Sequence, residues 1–112
     1  MIVFVTQDLM ILSAARSVLP EGSSLKQVAS VARLKALAAE SVFRVILVDL
    51  QTPGLDLDEL AAAHAHFEVA PKLVAFAQHV NVALLEQAKE RFTHVLTRGQ
   101  FNSKLPEILS ED

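Results

Sequence analysis

The side chains best suited to chemistry follow the ends of short apolar runs in this chain. Asp8 and Asp49 supply carboxylate oxygens, which are the ligands that a divalent cation prefers. Arg98 could bind an anion beside Asp49, but we expect it to pair with Asp49 and compensate that charge. His79 could transfer a proton, although a loop histidine without an identified partner is usually polar surface. Cation binding, anion binding and proton transfer are therefore the chemistries to test.

Both carboxylates also have a purely structural explanation. Asp8 stands directly before an apolar stripe that starts at Leu9, so its side chain can cap a helix there. Asp49 ends an apolar run, and it can accept hydrogen bonds from the turn over residues 51–54. Without further ligands, we favour the capping interpretation for both residues.

Two other clusters of polar residues are explained without a ligand. Asp56, Asp58 and Glu59 fall in the first turn of an expected helix, where the helix dipole favours acidic side chains. His64 and His66 lie two positions apart, so they point to different sides of a helix and are poorly placed to share a metal ion. We expect both histidines to be exposed near the end of that helix.

The elements that must position these groups follow from the pattern of apolar residues. Apolar runs rich in branched side chains at residues 2–5, 45–48 and 73–76 are typical of buried parallel strands. Residues 24–29 and 93–97 are weaker candidates for two further strands. Five strands in parallel would bring the polar residues that follow them to the same edge of one sheet, where α/β proteins bind their ligands.

Apolar residues recur at helical spacing in the stretches between these strands. We expect helices to begin at or just after a polar residue in each stretch: Asp8, Ser30, Asp56, Asn81 and Ser103. Pro106 would then lie in the first turn of the last helix, where a missing N–H is tolerated. Strands alternating with helices predict a doubly wound parallel sheet covered on both faces.

Composition limits the classes of function. The 112 residues, 52% of them hydrophobic, suffice for one domain over residues 1–112. Disulfides are excluded because cysteine is absent, and the net charge of −3 disfavours a nucleic-acid-binding surface. The N-terminus turns polar at Thr6, too early for a signal peptide, and no apolar run is long enough to cross a membrane. We therefore expect a cytoplasmic protein that binds neither membranes nor nucleic acid.

The most specific segment is residues 45–56, which read VILVDLQTPGLD. It resembles the phosphoacceptor strand and following loop of a response-regulator receiver domain, where a hydrophobic strand ends in Asp and continues toward Pro-Gly and a further Asp. The order of elements matches that family over essentially the whole chain. The resemblance implies a flavodoxin-like (βα)5 three-layer sandwich with a five-stranded parallel sheet in the order 2-1-3-4-5, and it makes Asp49 the equivalent of the phosphorylated aspartate.

The positions that hold Mg²⁺ in receivers depart from the family pattern. Receivers end their first strand with two acidic residues, and here Thr6 and Gln7 occupy those positions. A hydroxyl and an amide bring no negative charge to a hard divalent ion, so only weak Mg²⁺ binding at Asp8 and Asp49 remains conceivable. We therefore expect no cofactor, with Mg²⁺ needed only if Asp49 is phosphorylated.

The switching positions of the family depart as well. The Thr or Ser that follows the fourth strand in receivers corresponds to Ala77, which has no hydroxyl to grip a phosphoryl oxygen. The rotating aromatic residue of the fifth strand corresponds to Val95, whose branched side chain packs as core. The lysine after that strand corresponds to Arg98, which keeps the charge without the compact ammonium geometry. The chain therefore resembles a degenerate receiver, or pseudo-receiver.

These observations favour a phosphorylation-independent protein-interaction module without enzymatic activity. In receiver-like proteins, the fourth helix, fifth strand and fifth helix commonly mediate docking or dimerisation, so we expect a protein partner or a homodimer through that face. Some of the apolar residues there are expected to be ordinary core. The candidate face consists of Leu84, Arg91, Phe92, Val95, Phe101, Lys104 and Ile108.

Two alternatives come from other classes of function. The chain could be an atypical working receiver that accepts a phosphoryl group on Asp49 in a phosphorelay. It could also bind a flavodoxin-type cofactor, but this would need a loop rich in glycine or hydroxyl residues after the first strand. The residues found there, Thr-Gln-Asp-Leu at positions 6–9, form no such loop.

Overall fold

The computed structural model describes residues 1–110 of the chain. Five strands alternate with five helices along this part of the chain. The strands are β1 (Ile2–Val5), β2 (Leu25–Val28), β3 (Val45–Asp49), β4 (Lys72–Ala77) and β5 (His94–Thr97). The helices are α1 (Leu9–Ser17), α2 (Val31–Ala38), α3 (Leu57–Ala65), α4 (Val82–Lys89) and α5 (Arg98–Ser110).

All five strands are parallel and form one sheet in the order β2-β1-β3-β4-β5. This confirms the predicted α/β architecture and strand order. Every residue of β1 and β3 is buried, which explains why these strands are continuous apolar runs instead of alternating patterns. Asp49 is the last residue of the central strand β3, as predicted, so its side chain lies at the carboxyl edge of the sheet.

Side chains alternate between the two faces of the sheet and build one core on each. Val3 and Val5 of β1 face α2, α3 and α4, whereas Ile2 and Phe4 face α1 and α5. On the second face, Phe4 packs near Phe76 and Phe101, and the last two rings stack with centroids 4.0 Å apart. Both faces of the sheet are therefore covered, as expected for a three-layer sandwich.

Helix α5 begins earlier than predicted. It starts at Arg98, directly after β5, and not at Ser103. Gln100 accepts from the Thr97 backbone N–H through Oε1, and its own N–H donates to Thr97 Oγ1. This reciprocal pair is a capping box, which satisfies two backbone donors at the start of the helix. Pro106 consequently lies inside α5 instead of in its first turn, on an exposed position.

The other four helices begin directly after the polar residues expected at or before their starts. Asp8 and Ser30 accept hydrogen bonds from backbone N–H groups of the helices that follow, which confirms their capping role. Asp56, expected inside the first turn of its helix, instead precedes Leu57 and caps α3 by accepting from the Asp58 and Glu59 N–H groups. Asn81 precedes α4, but its side chain makes no capping hydrogen bond. None of the helices within residues 1–110 is long and apolar enough to cross a membrane.

The two histidines of α3 differ in their surroundings. His66 is exposed, as expected. His64 is only half-exposed, because its Nε2 lies 2.7 Å from the Pro71 carbonyl oxygen and its ring lies against Phe67. The expectation of an exposed side chain is therefore wrong for His64, which joins α3 to the start of β4.

Candidate functional site

Asp49 is held by protein groups at the carboxyl edge of the sheet. Its side chain is 9% exposed. Oδ2 accepts a hydrogen bond from Thr6 Oγ1 at 3.1 Å, and Oδ1 accepts one from the Gln51 backbone N–H at 3.0 Å. The second contact is the turn-capping role expected for Asp49. Each carboxylate oxygen therefore already has a protein donor.

Thr6 connects Asp49 to the neighbouring strand. It follows β1 and is fully buried. Its hydroxyl donates to Asp49 and accepts the Asp8 backbone N–H at 3.0 Å, while its carbonyl accepts a hydrogen bond from the Gln27 side chain. Because the hydroxyl has one proton, donation to Asp49 leaves it only as an acceptor for other groups.

Asp8 is engaged twice. Its Oδ1 accepts from the backbone N–H groups of Met10 and Ile11 at the start of α1. Its Oδ2 accepts from Arg98 Nη2 at 2.9 Å. The hydrogen bond from Arg98, followed by those from the α1 backbone, lowers the pKa of Asp8 below its ordinary value.

This pairing corrects one prediction. We expected Arg98 to pair with Asp49, but its guanidinium binds Asp8. Arg98 starts α5 and Asp8 precedes α1, and both helices lie on the same face of the sheet. The guanidinium therefore meets the carboxylate at the start of the adjacent helix, and Asp49 is stabilised instead by Thr6 and Gln51.

These residues do not fit a Mg²⁺ site. Thr6 Oγ1 is directed to Asp49, and the Gln7 amide donates to the Ala29 carbonyl at 3.5 Å. Asp8 already accepts hydrogen bonds from the Arg98 guanidinium and from the backbone N–H groups at the start of α1. Within residues 1–110, no group of three or more His, Asp or Glu side chains is arranged to hold a metal ion. A hard divalent ion would have Asp49 as its main anionic ligand.

The loop between β4 and α4 is held without a hydroxyl group. Ala77, at the end of β4, is fully buried among apolar residues. The next backbone N–H, of Gln78, donates to Gln51 Oε1 at 2.7 Å. His79 is exposed on the same loop. Gln51 therefore ties the loop after β3 to the loop after β4, a role that its position in the sequence did not reveal.

Thr52 is a second site residue that sequence reasoning missed. It is 4% exposed, and its hydroxyl donates to the Asp49 carbonyl at 2.6 Å. The following turn continues through Gly54, whose φ of 78° lies in the left-handed region that favours glycine. The Pro-Gly signal located this turn correctly, but it could not indicate which side chain closes it.

The candidate interaction face requires a correction. Phe92, Phe101 and Ile108 are buried in the two cores, as expected for some members of this face, and offer a partner little surface. Leu84 and Val95 are half-buried against the core of the α2–α3–α4 side. Only the two charged members, Arg91 and Lys104, are exposed.

Arg91 itself is partly engaged within the chain. Its Nε donates to Asp58 Oδ1 at 2.7 Å, and this contact raises the pKa of the guanidinium further above its already high ordinary value. Its Nη1 donates to the Gln87 carbonyl. Arg91 thus joins the end of α4 to the start of α3.

Comparison with known proteins adds a fold assignment. No protein-family model and no curated protein matches the sequence. The receiver domain of NtrX from Brucella abortus superimposes with a TM-score of 0.77 at 16% identity, covering 100% of both chains. The N-terminal signal receiver domain of a two-component system response regulator from Bacteroides fragilis gives 0.77 at 22% identity, over 96% of this chain and 91% of that one. The chain has the receiver fold.

A third similar structure is a dimer. It is the beryllofluoride-activated receiver domain of NtrC4, which superimposes with a TM-score of 0.73 at 16% identity over 96% of this chain and 94% of that one. The suspected resemblance to receivers is therefore confirmed at the level of the fold. Within this fold, Thr6, Gln7 and Asp8 make the hydrogen bonds described above at the carboxyl edge of the sheet.

Proposed function

We propose that the chain is a receiver-like signalling domain that binds a protein partner, or a second copy of itself, whether or not Asp49 is phosphorylated. The proposal includes no enzymatic activity and no cofactor. The observation that carries it is the set of contacts around Asp49, in which both carboxylate oxygens have protein donors and Asp8 is paired with Arg98. The receiver fold supports a role in two-component signalling.

The charge balance supports the phosphorylation-independent form of this role. Phosphoryl transfer depends on positive charge that stabilises the transferring group, usually from a metal ion. Thr6 and Gln7 supply no anionic ligand for such an ion. Arg98 is the cation that we expected beside Asp49, but its guanidinium is bound to Asp8. Asp49 therefore has little help in accepting a phosphoryl group.

The loop contacts support the same role. A modification shifts a two-state equilibrium only through contacts that differ between the states. Ala77 offers no hydroxyl for such a contact, and the adjacent loop is already held by the hydrogen bond from Gln78 to Gln51. Val95 is half-buried against the core. The residues at the two switching positions, Ala77 and Val95, therefore offer a phosphoryl group on Asp49 no contact that would transmit its presence to α4.

One observation favours the alternative, an atypical working receiver. Asp49 ends the central strand at the carboxyl edge of the sheet, the position of a receiver's phosphoacceptor, and the residue retains 9% exposure. In this alternative, Thr6 would release Asp49 on phosphorylation. The two proposals differ in whether occupation of Asp49 changes α4 and β5.

The deciding experiment uses beryllofluoride with excess Mg²⁺ as a phosphoryl mimic. Hydrogen exchange over residues 81–101 is compared in treated and untreated protein. The interaction module predicts matching protection. A clear change in that segment, abolished in Asp49→Ala, would establish the working receiver instead.

Two controls make this comparison decisive. The NtrC4 receiver domain, known in a beryllofluoride-activated form, is treated in parallel to verify the reagent. Asp49→Asn removes the charge while preserving the shape of the side chain, so it separates loss of the acceptor from loss of local packing. Partner or self-binding that persists in Asp49→Ala supports the proposal, and binding that requires acetyl phosphate contradicts it.

A further inference from the structure

An apolar groove lies far from Asp49, at the opposite edge of the sheet. Its walls are the ends of α2 and α3 and the loops that follow them, which lead into β3 and β4. Its floor contains Phe43 and Phe67, whose ring centroids are 5.9 Å apart in an edge-to-face arrangement. The volume is about 580 Å³, which is within the usual range of binding pockets.

The most exposed large hydrophobic side chains of residues 1–110 border this groove. Val42, in the loop after α2, is 89% exposed, and Val69, in the loop after α3, is 88% exposed. Isolated exposed apolar residues are common, but two beside an apolar concavity form a patch typical of interaction sites.

The charges of the two walls have opposite sign. Lys35 lies on the α2 wall and Glu68 on the α3 wall, and both side chains are exposed. Neither forms an ion pair with another side chain of residues 1–110. Each wall therefore offers one exposed valine, one phenylalanine of the floor and one formal charge, and the α3 wall also carries the exposed His66.

The two charges of this arrangement are self-complementary. A half-turn about an axis that runs along the groove exchanges the two walls, so a second copy would place its Glu68 opposite Lys35 and its Val69 opposite Val42. A partner with one sign of charge would not match both walls. We propose that the groove between α2 and α3 is the contact surface between two copies of this chain in a symmetric dimer.

The proposed dimer deepens the proposed function by naming its partner surface, and it rests on that function only in treating the chain as an interaction module. It uses a different surface from the face of α4, β5 and α5, of which three apolar members are buried. A contact centred on a groove of this size falls among small interfaces, so the dimer should dissociate on dilution.

The test is sedimentation equilibrium of the full chain between about 1 μM and about 1 mM, which spans binding free energies of about −8 to −4 kcal/mol. Wild type should pass from monomer to dimer in this range. Lys35→Glu and Glu68→Lys should each weaken dimerisation by about tenfold or more, because each reversal places like charges together twice in a symmetric dimer. Both residues are exposed, so the variants should fold, and thermal unfolding verifies this.

Mixing the two variants gives the sharpest readout. In a Lys35→Glu and Glu68→Lys pair, both cross-contacts become attractive again, so the mixture should form a heterodimer with an affinity within about threefold of wild type. Lys104→Glu on α5 is the matched control and should have no effect. A monomer at all concentrations, or a dimer weakened by Lys104→Glu and not by Lys35→Glu, would overturn the inference. Neither result alters the outcome of the beryllofluoride comparison, which tests Asp49 alone.

Discussion

Thr6 Oγ1 lies 3.1 Å from Asp49 Oδ2, and this hydrogen bond joins the ends of β1 and β3 where both side chains are buried. The same hydroxyl accepts the Asp8 backbone N–H, so it links the central carboxylate to the start of α1. The neutral Thr6 hydroxyl thus donates a hydrogen bond to one of the two carboxylate oxygens of Asp49. Together with the Gln51 N–H, which donates to the other oxygen, this hydroxyl sets the local environment of Asp49.

Replacing Thr6 by Val should destabilise the fold by about 1 to 3 kcal/mol, because a nearly buried carboxylate oxygen and a backbone N–H both lose their partner. Urea denaturation measures the loss. Thr6→Ser keeps the hydroxyl and serves as the control. A Val variant as stable as the Ser variant would mean that the hydrogen bond contributes nothing to folding.

Asp8 and Arg98 should be coupled in a double-mutant cycle. The variants Asp8→Ala, Arg98→Ala and the double variant should give a coupling free energy of about 0.5 to 1 kcal/mol, since both side chains are about one-third exposed and water screens the pair. Asp8→Ala alone should cost about 1 kcal/mol or more because it also removes the cap of α1. Additive effects would contradict a direct contact.

Asp8 should also make folding stability depend on pH. Its pKa is lower in the folded protein, chiefly through the hydrogen bond from Arg98, so the ionised form stabilises the fold above its unfolded pKa of about 4. This contribution is lost as the pH falls through the lower folded value. The stability difference between wild type and Asp8→Asn should therefore be constant above about pH 5 and shrink below about pH 4. Asn retains a capping side chain, so the comparison isolates the charge. A difference that does not change between pH 6 and pH 3 would contradict this assignment.

The fold could be predicted from the sequence because its signals are local. The central strands are continuous apolar runs, and Asp8, Ser30 and Asp56 are capping residues directly before helical stripes. Strand alternation then leaves few topologies for a parallel sheet.

The site was harder to predict because its contacts join distant parts of the chain. Arg98 and Asp8 are 90 positions apart, and nothing in the sequence indicates which of two carboxylates the guanidinium meets. The hydrogen bond of Gln51 to the Gln78 backbone depends in the same way on how two loops meet. The early start of α5, in contrast, had a local signal in Thr97 and Gln100, three positions apart.

That capping box gives a prediction for α5. Gln100→Ala should destabilise the protein by about 0.5 to 1 kcal/mol, because the Thr97 backbone N–H loses its acceptor. Thr97→Val removes the reciprocal bond to the Gln100 N–H and should cost about 1 kcal/mol. Hydrogen exchange at these two amides is the direct measurement. Asn102→Ala, on an exposed position of the same helix, is the control and should leave both amides protected.

The absence of anionic ligands beside Asp49 predicts how the protein responds to Mg²⁺. Wild type should show no saturable amide shifts at Asp8 or Asp49 up to about 1 mM Mg²⁺, the range of weak carboxylate sites. Thr6→Asp places a second carboxylate where the hydroxyl now lies 3.1 Å from Asp49 Oδ2. Two like charges at this distance should destabilise the variant, and Mg²⁺ should restore its stability by binding only the folded state.

The matched control for this prediction is Thr6→Asn, which has the shape of the Asp variant without its charge. Its melting temperature should not respond to Mg²⁺, whereas that of Thr6→Asp should rise with the Mg²⁺ concentration and level off as the site fills. Saturable shifts in wild type would contradict the prediction, because they would show an ion bound at this edge without a second carboxylate at position 6. No response in Thr6→Asp would instead show that the charge at position 6 is not what limits Mg²⁺ binding at this edge of the sheet.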